Sequence, residues 1–204
     1  MGMVSEADWR RAAKSALDEL IAEGCSRPFV IGFSMGGALA IRLAAARPAD
    51  VGGLVLLAPA LALHGPSLLF RHLFRHPRLA ALWPRIEKGP GDLLDRSVRM
   101  PAHPPLATSA AGALDRVIRE ARRALSQVKA PTLVIWGAKD RVVPRTAAKE
   151  AAAGVGSGPA HLVILQRSAH QLALDYEREA VIAEVLGFFE TLHPGARSVG
   201  SQGE

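Results

Sequence analysis

Apolar positions recur along the chain in two registers. Between residues 6 and 23, Trp9, Ala12, Ala16, Leu20 and Ile21 return at helical spacing among charged residues, which predicts an amphipathic helix stopped by Gly24. The pattern then changes to short apolar runs without polar alternation, at 28–32, 53–58, 131–137 and 161–165. Their length and β-branched content predict strands, and the lack of alternation predicts a parallel sheet covered by helices on both faces. Helices are expected at 38–47, 145–153 and 176–192, with Asp175 as N-cap of the last. Ala38, Ala40, Ala44, Ala45 and Ala46 are small enough to let the first of these lie close to the sheet.

From Leu61 to Val128 the strand–helix rhythm breaks. Helical stretches at 66–74, 77–83 and 114–128 are separated by Gly89-Pro90-Gly91 and by a Pro-rich turn at 101–105. That is too long for a plain crossover, so the expected organisation is a first core part (1–60), a helical cap insertion (61–128), a second core part (129–193) and a disordered tail (194–204). Leu69, Phe70, Leu73, Phe74, Leu79, Leu82 and Trp83 either line an acyl pocket under that cap or glue it to the sheet.

Chemistry enters at Gly32-Phe33-Ser34-Met35-Gly36, a G-x-S-x-G placed between a strand and a small-residue helix. That is the context of a nucleophile elbow, in which a strained serine is lifted above the sheet. Both glycines are expected to avoid a Cβ clash, and the Met35 amide is expected to face a developing oxyanion from the helix N-terminus. A serine hydroxyl needs a base and an acid that orients it. Asp140 follows the 131–137 strand and His170 follows the 161–165 strand, giving the chain order Ser34, Asp140, His170. The competing reading pairs Asp140 with Arg141 or Arg145 and leaves His170 on the surface. The rival acids are Asp92, Asp95, Asp115 and Asp175. An imidazole acts as base only when neutral, so hydrolysis is expected to decline below about pH 6–6.5.

Segments 30–37, 130–140 and 168–175 resemble the small bacterial carboxylesterase and monoacylglycerol-lipase-like branch of the α/β-hydrolases. The resemblance runs from Ser5 to about Leu192. It implies an α/β-hydrolase fold with Ser34 as nucleophile, His170 as base and Asp140 as orienting acid. It also implies a carboxylic ester substrate, no cofactor and no metal. Family members have the nucleophile after the fifth of eight strands, whereas Ser34 follows the first strand here. The resemblance therefore implies that four strands, roughly 60–80 residues, and the His-Gly loop supplying a second oxyanion amide are absent. The chain reads as the C-terminal two-thirds of an esterase. Its first strand becomes an exposed apolar edge that invites self-association. The other readings are a degenerate hydrolase acting as a binding or assembly partner, and a thioesterase, peptidase or acyltransferase on the same fold. Epoxide hydrolase and dehalogenase chemistry is disfavoured because those relatives carry Asp at the position of Ser34.

Composition narrows the partners. The 204 residues are 49% hydrophobic and carry a net charge of +6, which excludes a disordered chain. Arg and Ala are abundant and aromatics make up only 5%, so the basic balance reads as codon composition and nucleic-acid binding is not expected. Arg71, Arg75 and Arg78 form one basic cluster, read as a solvated face in preference to a lipid-surface patch. No apolar run reaches the ~18 residues of a membrane span, and the first residues hold no apolar signal region. Stable membrane insertion is not expected, and a cytoplasmic location is. The single cysteine, Cys25, excludes an internal disulfide and is expected to be a small buried residue.

Overall fold

The four apolar runs form one parallel sheet. Strands β1 (Phe29–Phe33), β2 (Gly53–Leu57), β5 (Thr132–Gly137) and β6 (His161–Leu165) lie side by side in the order β1-β2-β5-β6. The structure is a computed structural model describing residues 5–65, 85–86, 91–99, 106–107, 109–158 and 160–194. Register aligns Phe33 with Leu57, Leu57 with Ile135, and Gly137 with Leu165, so the chain leaves every strand along one rim. The central strands β2 and β5 are buried at every position. The edges are not: Ile31 of β1 is 50% exposed, and His161 opens β6 in solvent. The expectation of two covered faces thus holds for the central pair and fails at the edges, where a strand lacks one neighbour.

Helix α1 (Glu6–Ala22) opens on a capping box, with the Ser5 hydroxyl accepting from the Asp8 amide and the Asp8 carboxylate accepting from the Ser5 amide. Its inner stripe is Trp9, Ala13, Leu17 and Ile21, while Ala12, Ala16 and Leu20 face out. The observed stripe is shifted by one position from the expected one at its middle, where Ala13 and Leu17 face inward in place of Ala12 and Ala16. Helix α2 (Met35–Ala46) begins directly after Ser34, three residues before the expected start, and buries Gly37, Ala38, Ala40, Ile41 and Ala44. Helix α3 (Ser109–Ala124) packs on α2 and contributes Val117, Ile118 and Ala121 to the buried residues. The Arg42 guanidinium joins three helices by pairing with Glu6 and Glu120.

Helix α4 (Arg145–Gly154) lies against β5 and β6. Helix α5 (Arg178–Leu192) packs on β2 and β5, and its Phe189 stacks on Phe29 at 4.3 Å between ring centroids. It starts two residues later than expected. Asp175 is not its N-cap, because the cap position is Glu177 and Asp175 is engaged elsewhere. A two-stranded antiparallel ribbon, β3 (Arg85–Ile86) with β4 (Leu106–Ala107), occurs where only helices and turns were expected. Two residues per strand give no periodicity to read. Cys25 is exposed, contrary to expectation, because it sits in the turn after α1 and not in the following strand.

The expected helices at 66–74 and 77–83, the apolar set from Leu69 to Trp83, the basic cluster at Arg71, Arg75 and Arg78, and residues 195–204 of the expected tail lie outside the described residues. Among the described residues no helix is long and apolar enough to cross a membrane.

Candidate active site

The rim where β1, β5 and β6 end gathers three polar side chains. Ser34 leaves β1 with φ +52° and ψ −117°, a region a non-glycine residue rarely adopts. The neighbourhood over-determines it: the Ser34 amide donates to the Leu57 carbonyl (2.9 Å), and its own carbonyl accepts from the Gly37 (3.0 Å) and Ala60 (3.0 Å) amides. Strain of this kind persists only where surrounding bonds hold it.

The expectation for the glycines is half right. A Cβ on Gly32 would lie 2.6 Å from the Gly36 carbonyl oxygen, 2.7 Å from Gly37 Cα and 2.8 Å from Ala40 Cβ. A Cβ on Gly36 meets nothing within 4 Å among the described residues. The second tight position is Gly37, where a Cβ would approach Pro59 to 3.1 Å, because α2 turns inward one residue later than the motif suggests.

Asp140 sits in the turn after β5. Its Oδ1 accepts from the amides of Val142 (2.7 Å) and Val143 (2.8 Å), and its Oδ2 lies 2.8 Å from His170 Nδ1. Among the described residues it pairs with neither Arg141 nor Arg145. Nε2 of the same imidazole lies 2.9 Å from Ser34 Oγ. The structure thus brings Ser34, His170 and Asp140 into one hydrogen-bonded line across sequence separations of 136 and 30 residues. His170 and Asp140 are 5% and 6% exposed, and the Phe33 ring packs against the imidazole at 5.0 Å. With Asp140 Oδ2 accepting a hydrogen bond from Nδ1–H, the Nε2 lone pair faces the serine hydroxyl. This arrangement can draw a proton from the hydroxyl and return it. Met35 and Gly36 open α2, where the first amides have no partner within the helix.

Further residues hold this line in place and were not singled out for it. Gly137 ends β5, and a Cβ there would lie 2.4 Å from the Ser168 carbonyl oxygen, so only glycine lets the His170 loop cross. A glycine closing an apolar run is the available signal. The loops are zipped at their roots by Ala138 N–H to Leu165 O (2.7 Å) and Lys139 N–H to Ser168 O (3.0 Å). Buried Trp136 donates its indole N–H to the Val143 carbonyl at 3.0 Å. Glu177 accepts from the amides of Gln166 and Arg167 and from the Ser168 hydroxyl.

The rival acids have other partners. Buried Asp175 accepts from the amides of Ala169 (2.8 Å), Leu94 (3.2 Å) and Asp95 (2.9 Å). Asp95 is held below the ordinary carboxylate range, first by the Ser97 hydroxyl, then by the Ser97 amide, with Arg178 adding to it. Asp115 pairs with Arg119. Asp92 accepts from amides of both loops. Among the described residues no cluster of three His, Cys, Asp or Glu side chains is grouped to hold a metal ion.

The family model of serine aminopeptidase, S33, matches residues 3–177. A thermostable monoacylglycerol lipase of Bacillus sp. (strain H-257) is 28% identical over 165 residues, covering 81% of this chain and 63% of its own length. A 2-hydroxy-6-oxononadienedioate/2-hydroxy-6-oxononatrienedioate hydrolase of Cupriavidus pinatubonensis is 30% identical over 173 residues, covering 74% of this chain and 58% of its own. The chain therefore spans about six-tenths of the length of these relatives. Among solved structures, one described with the metagenome-derived lipolytic enzymes LipS and LipT superposes with a TM-score of 0.84 at 26% identity, covering 92% of this chain and 74% of that one. The monoacylglycerol lipase of Paleococcus ferrophilus superposes with a TM-score of 0.77 at 20% identity, covering 94% and 77%, a likeness of fold.

Proposed function

The chain belongs to the serine aminopeptidase S33 family and has the α/β-hydrolase fold, and we propose that it is a serine hydrolase cleaving carboxylic esters through Ser34, His170 and Asp140. The observation that carries this reading is the continuous line from Ser34 Oγ to His170 Nε2 (2.9 Å) and from Nδ1 to Asp140 Oδ2 (2.8 Å). Ser34 Oγ attacks the ester carbonyl carbon while its proton passes to Nε2. The Met35 amide, which has no partner within the helix, donates to the oxyanion. Collapse of the tetrahedral species breaks the bond to the alcohol, which leaves with the proton from Nε2. Water then attacks the acyl-serine, giving its proton to Nε2, and the acid departs as Ser34 recovers it. Asp140 holds the imidazole in the required tautomer and stabilises the imidazolium. A single-acyl ester is the substrate class favoured by the likeness to the monoacylglycerol lipase of Bacillus sp. (strain H-257).

The test is covalent labelling with a fluorophosphonate beside hydrolysis of a short p-nitrophenyl ester. The parent chain is expected to label and turn over, and Ser34→Ala to do neither. If Ser34→Ala labels as well as the parent, the assignment is wrong. A chain that neither labels nor hydrolyses favours the second reading, a hydrolase fold serving as a binding partner. The coverage of about six-tenths of the relatives' length motivates it. Transfer of the same acyl group to an amine or alcohol acceptor would point to the acyltransferase variant, and preferred hydrolysis of an acyl thioester to the thioesterase variant.

Among the described residues β1 has a neighbour on one side only, and with Ile31 half exposed this supports self-association by edge pairing. Light scattering should give a mass above one chain, reduced by Ile31→Lys. An exposed free thiol at Cys25 suits a reducing compartment, which supports a cytoplasmic location.

A further inference from the structure

Around the base, several backbone amides are taken up by carboxylates. Gln166 and Arg167 donate to Glu177, Ala169 to Asp175 and His170 to Asp92. Asp92 differs from the others because it also reaches the acid. A single oxygen, Oδ2, accepts from the Arg141 amide at 2.7 Å and from the His170 amide at 3.3 Å, while the Asp92 carbonyl accepts from Gln171 at 3.0 Å. Arg141 directly follows Asp140, so one atom ties the residue after the acid to the backbone of the base. The sequence separations are 49 and 78 residues, so this is no local turn. Among the described residues Asp92 makes no ion pair, and its charge faces amides only.

We propose that Asp92 is a positioning residue for the reaction proposed above: by gripping both loop tips it sets the separation of Asp140 and His170. The loop roots are already joined by the Ala138–Leu165 and Lys139–Ser168 bonds, and Asp175 anchors the segment carrying Asp92 through Leu94 and Asp95. Removing the Asp92 side chain therefore leaves sheet, roots, anchor and the Gln171 bond to the Asp92 carbonyl intact, and takes away only the acceptor shared by the Arg141 and His170 amides. That separates positioning from folding. Chemistry of this type is steep in geometry, with misplacement by about 1 Å costing on the order of 10²-fold in rate.

Both bonds fall on Oδ2, and no described donor reaches Oδ1. An asparagine can therefore set its carbonyl oxygen where Oδ2 lies, keeping both bonds and losing only the charge. The expected results are a kcat for Asp92→Ala lower by about 10²-fold per phosphonate-titrated site with KM within about threefold, and a kcat for Asp92→Asn within about fivefold of the parent. Proton NMR gives a second readout independent of turnover. The downfield resonance of the His170 Nδ1–H bonded to Asp140 should persist in Asp92→Asn and be lost or moved in Asp92→Ala.

Parental kcat per titrated site in Asp92→Ala, or an unmoved resonance there, overturns the proposal. So does an Asp92→Asn as impaired as Asp92→Ala. If Asp92→Ala does not fold, Asp92→Glu, longer by one methylene, takes its place with a lowered kcat expected and a parental one overturning. Hydrolysis surviving Ser34→Ala refutes the serine reading itself, and the resonance still decides the role of Asp92.

Discussion

Replacing Gly32 and Gly36 separately by alanine distinguishes the spatial requirement of the elbow from the sequence motif. A Cβ on Gly32 would stand within 2.8 Å of three atoms, two of them the backbone Gly36 carbonyl oxygen and Gly37 Cα. Backbone cannot rotate aside as a side-chain end can, so β1 and α2 must separate. Overpacking of this kind costs about 1–3 kcal/mol and occasionally more. At roughly 2–4 °C per kcal/mol for a domain of this size, Tm should fall by about 2–12 °C, toward the upper end. Separation also shifts Ser34 relative to His170, so phosphonate labelling should slow by at least about tenfold. Gly36 has no described neighbour within 4 Å of the added methyl, and its backbone is helical. Alanine there reduces the entropy lost on folding, a gain of up to about 0.5–1 kcal/mol, so Tm should hold or rise by a few degrees. The assay is thermal denaturation by circular dichroism together with the second-order labelling rate. Equal losses in the two variants, or a Gly32→Ala with parental Tm and labelling, would refute the steric argument.

Three further outcomes follow from the same structure. Leu56→Ala, at a fully buried position of β2, should cost about 2–5 kcal/mol through the cavity it leaves, seen as a lower urea midpoint with unchanged slope. Trp136→Phe removes the donor to the Val143 carbonyl and should cost about 1–3 kcal/mol, lowering Tm, whereas an unchanged Tm would show the bond to be dispensable. Asp95 is held below its ordinary range by Ser97, and Asp8 and Asp18 are lowered by Ser5 and Lys14 respectively. For a depressed carboxyl the stabilisation is complete above the unfolded value near ~4 and is lost as pH falls through the folded one. Urea midpoints should therefore drop from pH 5 to pH 2.5, and Ser97→Ala should show a shallower drop; parallel curves for parent and variant would sink the assignment to Ser97.

The parts of this molecule legible in the sequence are those governed by short-range pattern. β6 is found residue for residue at 161–165, and the starts and ends of β1, β2 and β5 shift by one residue at most, because an unalternating apolar run of five or six residues has few other places to go. The order Ser34, Asp140, His170 was readable because each residue follows a strand end, and parallel strands place their ends on one rim. What escaped depends on contacts remote in sequence. Leu17 and not Leu20 faces inward on α1 because of where α2 lies. A helix beginning nearby makes Asp175 resemble a cap, yet it also accepts from amides 6, 80 and 81 residues away. Nothing in the local sequence around Asp92 marks it as a partner of residues 141 and 170.

These remote carboxylates answer a physical problem the sheet creates. Once the chain leaves β5 and β6, its amides lose their ladder partners, yet the loops must stay close enough for Asp140 to reach His170. Root bonds such as Lys139 to Ser168 satisfy one donor each. A carboxylate can accept several donors at once, so Asp92, Asp175 and Glu177 each take two or more loop groups with a single side chain. The amide bonds to these groups hold the backbone of the His170 loop in place. Loop order around the imidazole is thus set by three side chains. At Asp92, where both bonds fall on Oδ2, asparagine keeps the acceptor and drops the charge, whereas at Asp175 and Glu177 both oxygens accept, so asparagine or glutamine there would turn one acceptor into a donor facing an N–H.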